Sequence, residues 1–300
     1  MNSGEVAVIR SDTVRLTDMK GESIAMKPFA VGQNPMAVTK GDHKHFMIKE
    51  IMEQPKTLLD AIRGRVDLDG SSLHLEELDG LAERMRSARR VILTACGTSY
   101  HAALVGRRYL EQVARIPVEV EISSELRYRD IVIGPEDLVI SVTQSGETVD
   151  TLGAMEHLAR ATDLQVVITN VLGSQATRIA PATIEMRSGP EIGVASTKSF
   201  TSSIVCLYLL ALRLGELRGS LSPESLTERL HDLAEMPRLV GSVLANAGQV
   251  ERLADEFSIA KNFLFLGRGS TYPIALEGAL KLKEISYIHA EGYPGGEMKH

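Results

Sequence analysis

Apolar positions in this chain fall into short β-branched runs separated by longer stretches with helical spacing. Val91–Ala95, Val118–Ile122, Leu138–Val142, Val166–Thr169 and Thr183–Met186 each have strand length and strand composition. Helix-like segments lie between them, and that alternation predicts a parallel sheet with right-handed crossovers from about Arg89 to Gly219. Upstream, Lys44 to Ile62 reads as a helix interrupted at Pro55, and a charged helix is expected near Leu75 to Ser87. Pro223 to Glu256 reads as a helical connector. It leads to a second α/β unit with a strand at Phe263–Leu266, a helix, and a loop running to His300. Near the start, Val6–Arg10, Thr13–Thr17 and Ser23–Met26 read as short strands, too few to build a core of their own.

The turns between these elements carry the chemistry. Leu138–Val142 breaks into Thr143-Gln144-Ser145-Gly146-Glu147-Thr148, and a helix is expected over Val149–Ala161. Hydroxyls around one glycine at a helix start suit an anion, because free N–H groups and the positive end of the macrodipole point there. No GxxxxGK[ST] pattern is present, so a phosphate monoester fits better than a nucleoside triphosphate. An N-cap Ser or Thr closing an ordinary turn is the alternative. The device recurs at Cys96-Gly97-Thr98-Ser99-Tyr100 and at Gly267-Arg268-Gly269-Ser270-Thr271-Tyr272. Both fit G-[ST]-[ST]-Y-x-x-A-L-x-G, which pairs Tyr100 with Tyr272 and Gly106 with Gly278. That agreement reads as a duplicated domain. The pair Gly267 and Gly269 lacks the third glycine of a dinucleotide fingerprint.

Composition narrows the function classes. With 33 basic and 39 acidic residues the net charge is -6, which argues against nucleic acid or an anionic membrane as the main partner. The longest apolar run, Ile204–Leu212, reads as a buried helix, and the first residues lack the pattern of a signal peptide. Two cysteines suggest a reducing compartment, so a soluble cytoplasmic protein is expected. His43 and His45 have an H-x-H spacing but no accompanying cysteine or carboxylate set, so neither a metal nor a cofactor is expected.

ACGTSY (Ala95–Tyr100), QSGET (Gln144–Thr148), EIGVASTK (Glu191–Lys198), FLGRG (Phe265–Gly269), ALEGALKLKEISYIHAE (Ala275–Glu291) and GEMKH (Gly296–His300) together resemble the isomerase half of glucosamine-6-phosphate synthase. KEIMEQP (Lys49–Pro55) extends the likeness through the linker. The resemblance implies an α/β fold. This would be a doubly wound parallel sheet, the flavodoxin-like three-layer sandwich of sugar isomerase (SIS) domains, duplicated with the second copy truncated. The implied divisions are the end of a glutamine amidotransferase domain (1–40), a helical linker (41–84), a first SIS domain (85–220), a helical connector (221–252) and an incomplete second SIS domain (253–300). The family's glutaminase nucleophile is an N-terminal cysteine, whereas residue 2 here is Asn. The chain is therefore expected to be a fragment that alone neither hydrolyses glutamine nor completes the transfer.

The resemblance also implies roles. The substrates would be fructose 6-phosphate and glucosamine 6-phosphate, with glutamine handled by the missing glutaminase domain. Gly97, Thr98, Ser99, Thr143, Gln144, Ser145 and Thr148 would hold the phosphate end. Cys96 would touch the sugar, or else serve as a small buried hydrophobe. Val194, Ala195 and Ser196 would form a wall against the sugar hydroxyls, or else cap the apolar helix that follows. The Gly269 turn would be a structural echo. Glu284 would move the proton between C1 and C2 of the substrate, with Lys281 one turn earlier orienting it. His300 would serve ring opening from a neighbouring subunit, which implies a homodimer. Two alternatives remain open. A two-SIS deglycase or isomerase would lack the N-terminal remnant. A non-catalytic phosphosugar sensor would need a helix-turn-helix and a basic face.

Overall fold

The computed structural model describes residues 4–26 and 38–300. The chain divides into two units, Met1–Ala37 and Val38–His300. In the first, strands β1 (Glu5–Ile9) and β2 (Val14–Asp18) form an antiparallel hairpin. Asp18 Oδ1 accepts from the amides of Lys20 and Glu22 at 2.8 Å, which turns the chain back. Ser23 then meets Thr17 in a single bridge, so the strand expected over Ser23–Met26 reduces to one pairing. Residues 27–37 of the expected amidotransferase remnant lie outside the described residues.

The second unit opens with helices α1 (Phe46–Met52) and α2 (Gln54–Ile62). Their break falls at Glu53 because Pro55 occupies the first turn of α2, where its missing N–H has no intrahelical partner to lose. A two-residue pairing of β3 (Val66–Asp67) with β4 (Ser72–Leu73) follows. The helix expected over Leu75–Ser87 is a 3₁₀ stretch, Glu76–Leu81, leading into α3 (Ala82–Ser87). Asp79 and Gly80 are poor α-formers at the junction.

The main sheet then assembles as β5 (Arg90–Ala95), α4 (Gly97–Tyr109), β6 (Val118–Ile122), α5 (Ser123–Leu126), β7 (Asp137–Thr143), α6 (Val149–Leu158), β8 (Gln165–Thr169), α7 (Ala176–Ile179) and β9 (Ala182–Glu185). The five strands run parallel in the spatial order β6-β5-β7-β8-β9, the flavodoxin-like arrangement. Their alternation sorts the two faces. Leu93, Ile140 and Ile168 join the core beneath α4 and α8 (Lys198–Arg218), while Ile92 and Val139 pack on the opposite side with Leu126 and Leu158. Helix α8 is long and apolar enough to cross a membrane by composition, yet most of it is buried within this fold.

Helices α9 (Pro223–Leu244) and α10 (Ala247–Phe257) connect to β10 (Asn262–Gly267), α11 (Thr271–Ser286) and β11 (His289–Pro294). The last of these corrects the loop expected before His300: β11 pairs in parallel with β10 over six residues. Its polar, Gly- and Pro-containing sequence hides it, because burial is confined to Ala290 and the close approach of Gly292 to Leu276. The repeat seen in the sequence has a packing cause. A β-carbon on Gly106 would strike Leu207, and one on Gly278 would strike Phe265. Val250, Leu253 and Phe257 of α10 and Leu264 and Leu266 of β10 remain exposed.

Asp137 is fully buried at the start of β7, between Arg90 (3.1 Å), Arg89 (3.4 Å) and the Gly134 amide (2.9 Å). Burial opposes its charge, but the hydrogen bonds from Arg90 and Gly134 and the two arginine charges outweigh it and hold the carboxyl below its ordinary value. A carboxyl lowered on folding stabilises above its unfolded pKa, and that contribution is lost as pH falls through the folded value. Asp137→Asn should therefore cost about 3 kcal/mol at neutral pH. The deficit relative to wild type should shrink below about pH 4, as measured by denaturant titration across pH.

Candidate functional site

Strands β5 and β7 are neighbours, yet α4 and α6 leave them toward opposite faces of the sheet. This is the point where strand order reverses, and a crevice opens there at the carboxyl ends of the strands. The Cys96–Ser99 and Thr143–Thr148 turns flank it. Gly97 and Gly146 have φ of 54° and 68°, the left-handed region that lets each strand turn sharply into its helix. Around Gly146 the fit is close, since a β-carbon would overlap the Ser174 side chain. Cys96 and Thr148 precede the two helices, but neither side chain caps its helix. Thr148 Oγ1 instead lies 3.1 Å from Thr143 Oγ1, and Ser145 Oγ accepts from the Glu147 amide at 3.1 Å. The ordinary N-cap reading therefore does not apply at Thr148. Cys96 is half-buried, with Thr151 Oγ1 donating to its sulfur at 4.0 Å, so the thiol sits between the two turns. Gln144 anchors the loop after β8, its carbonyl accepting from the Asn170 amide at 3.0 Å.

A second group reaches this crevice from α11. Lys281 Nζ donates to Thr98 Oγ1 (3.0 Å) and to Glu284 Oε2 (2.7 Å), and lies 3.4 Å from Glu277 Oε1. Thr98 Oγ1 donates in turn to Glu277 Oε1 (2.9 Å), and His101 Nδ1 lies 2.7 Å from the other oxygen of Glu277. Glu277 is 5 % exposed, so its charge is held by Lys281 and by these donors. Glu284 is one third exposed and faces solvent on the side of the α4 turn. Sequence reasoning missed Glu277 and His101. Glu277, Lys281 and Glu284 follow i, i+4, i+7 spacing on one face of α11, a charged stripe where a buried helix should be apolar, and that stripe was the available signal. It also changes the reading of Thr98, whose hydroxyl is engaged between two helices.

The remaining expected residues sit apart. Glu191 takes the N-terminus of α8, accepting from the amides of Thr197 (2.9 Å) and Ser199 (3.2 Å) and from the Ser196 hydroxyl (3.1 Å). Ser196 thus helps hold the Glu191 carboxylate at the start of α8. Ala195 is buried, and Val194 is 91 % exposed. Among the described residues no hydrogen bond joins these three to the two turns. His300 is exposed, its amide donating to the Glu297 carbonyl at 2.9 Å, and no described bond links its imidazole to Glu284.

The elements that build this crevice coincide with a match to the SIS domain family model, over residues 84–213 and 256–300. The chain belongs to the SIS domain family. This SIS chain is 40% identical over its whole length to a glutamine–fructose-6-phosphate aminotransferase (isomerizing) from Caldanaerobacter subterraneus, and 44% identical to one from Bordetella parapertussis. It spans about half the length of these curated relatives, 49% in each case. Among solved structures it resembles the C-terminal domain of glucosamine-fructose-6-phosphate aminotransferase from Francisella tularensis, with a TM-score of 0.84 and 38% identity. That match covers 88% of this chain and 73% of the other. Tagatose-6-phosphate ketose/aldose isomerase from Escherichia coli shares the fold, with a TM-score of 0.70 and 19% identity over 86% of this chain and 69% of that one. The resemblance read from the motifs therefore extends from the first residue to the last.

The left-handed conformation and the Ser174 contact make Gly146 a testable hinge of the site. Gly146→Ala should destabilise the SIS fold by about 2–3 kcal/mol, whereas Gly80→Ala, with open space around it, should change stability by under about 1 kcal/mol. Chemical denaturation of both variants measures the difference.

Proposed function

We propose that this chain is the sugar-phosphate-handling part of a glutamine–fructose-6-phosphate aminotransferase, with its site at the β5/β7 crevice. The two uncapped helix starts, with Ser99, Thr143, Gln144, Ser145 and Thr148, supply amides and hydroxyls for the 6-phosphate. Cys96 lies between them, toward the sugar carbons. Glu284 is the group that takes a proton from one carbon of the open-chain sugar and returns it to the next. One carboxylate suffices when both carbons lie on the same face of it. Lys281 aims that carboxylate through its 2.7 Å hydrogen bond, and its ammonium offsets negative charge that develops on the substrate oxygens. Thr98 acts through its backbone at the start of α4, while its hydroxyl ties that turn to Lys281 and Glu277. Val194–Ser196 forms the wall against the sugar hydroxyls.

The observation that carries this reading is the bridge Thr98–Lys281–Glu284. It sets the candidate base beside the turn that would hold the substrate, from residues 183 positions apart in sequence. Residues 85–220 and 253–300 are the two SIS parts, joined by 41–84 and 221–252 to each other and to the amidotransferase remnant 1–40. His300 acts in ring opening across a homodimer, so the reading requires no bond between it and Glu284 within one chain. Glutamine hydrolysis belongs to the glutaminase part of the parent enzyme, and the setting is cytoplasmic amino-sugar synthesis.

Calorimetric titration of the 300-residue chain with glucosamine 6-phosphate tests the reading. Ser145→Ala and Thr148→Ala should each weaken binding about tenfold, the cost of one hydrogen bond to a charged group. Glu284→Gln should leave affinity within about threefold, since the base is needed for proton movement more than for binding. Unchanged affinity in both hydroxyl variants removes the phosphate assignment.

A further inference from the structure

Two sequence motifs, Lys49–Pro55 in the linker and Glu191–Lys198 before α8, pack directly onto one another. Glu50 of α1 is 1 % exposed, and among the described residues no ion pair reaches its carboxylate. It accepts instead from the backbone amides of Ile192 (2.6 Å) and Gly193 (3.0 and 3.2 Å). One turn on, Glu53 receives Lys198 Nζ at 2.7 Å, with Lys49 at 3.2 Å on its other oxygen. A buried carboxylate without a counter-ion is tolerated only where such donors saturate it. The loop conformation that presents these two amides and the seating of α1 therefore depend on each other. Gly193 belongs to the same contact, since a β-carbon there would lie 2.5 Å from Glu50 Oε2. The next residue is the exposed Val194.

We propose that Glu50 is a positioning residue that sets the Val194–Ser196 wall, so that the linker helix α1 controls how the sugar is held without controlling the phosphate grip. The proposal rests on reading that loop as the sugar wall. Glu50 touches no substrate and acts through the Ile192 and Gly193 amides. The turns after β5 and β7 have no described hydrogen bond to α1, which separates the two functions physically. Because α1 follows directly on the segment that leads from the first unit, displacement of this helix would be felt at the sugar.

Glu50→Ala and Gly193→Ala in the whole 300-residue chain separate the possibilities. Each is titrated with glucosamine 6-phosphate and with inorganic phosphate, and amide hydrogen exchange is followed at residues 192 and 193. Both variants should bind the sugar phosphate about tenfold more weakly while inorganic phosphate affinity stays within about twofold. Exchange at the two amides should accelerate. Unchanged sugar-phosphate affinity despite faster exchange overturns the proposal. An equal loss for both ligands with a lowered melting temperature also overturns it, assigning Glu50 to general stability. Wild-type protein that binds neither ligand would instead overturn the underlying reading of the crevice, a result distinguishable from the other two.

Discussion

A small cluster around the Lys281 ammonium and the Glu277 carboxylate joins α4 to α11 at the place where chemistry is expected. Lys281 satisfies oxygens on Thr98, Glu277 and Glu284 at once, and with the direct Thr98–Glu277 and His101–Glu277 contacts it fixes the start of α4 to the middle of α11. The arrangement holds because Glu277 is buried and demands donors, which Thr98, His101 and Lys281 provide. Loss of any member leaves a carboxylate or an ammonium poorly compensated in a shielded place. The contact is therefore both a structural joint between the copies and the element that orients the outermost carboxylate.

That joint matters only because of where α4 begins. Parallel strands β5 and β7 lie side by side while their helices diverge, and the divergence exposes the positive ends of α4 and α6 to one crevice. A sheet without such a reversal would bury those ends against adjacent crossovers. The duplicated turn at Gly269 starts α11 in the same left-handed conformation as Gly97, with φ of 61°, yet its helix is used from the side, through the Glu277–Lys281–Glu284 stripe. Two turns of matching sequence thus start helices that face the crevice in different ways, one by its end and one by its side.

Much of this was legible in the sequence because it is local. The five strands of the main sheet appear as short β-branched runs and fall within two residues of their observed bounds, as at Val118–Ile122. The turns were readable because glycine and hydroxyl residues declare both the sharp bend and the donors. What escaped depends on tertiary pairing. Strand β11 has a polar sequence and becomes a strand only because β10 offers a ladder and α11 covers Ala290. His101 is an unremarked helical residue until Glu277, 176 positions away, arrives beside it. Thr98 reads as a ligand by motif, and only the folded chain reveals that its hydroxyl already has two partners. The split of the first linker helix was expected from Pro55, whereas the 3₁₀ stretch at Glu76–Leu81 is a boundary effect of Asp79 and Gly80.

Glu191 has a consequence for selectivity. Three long helices, α4, α6 and α8, start near the same end of the sheet, and each would attract negative charge on electrostatic grounds alone. Glu191 seats a carboxylate of the chain itself on the third, whereas the starts of α4 and α6 carry no side-chain cap. An anion approaching this end of the sheet would therefore meet open helix starts at α4 and α6 but a carboxylate at α8.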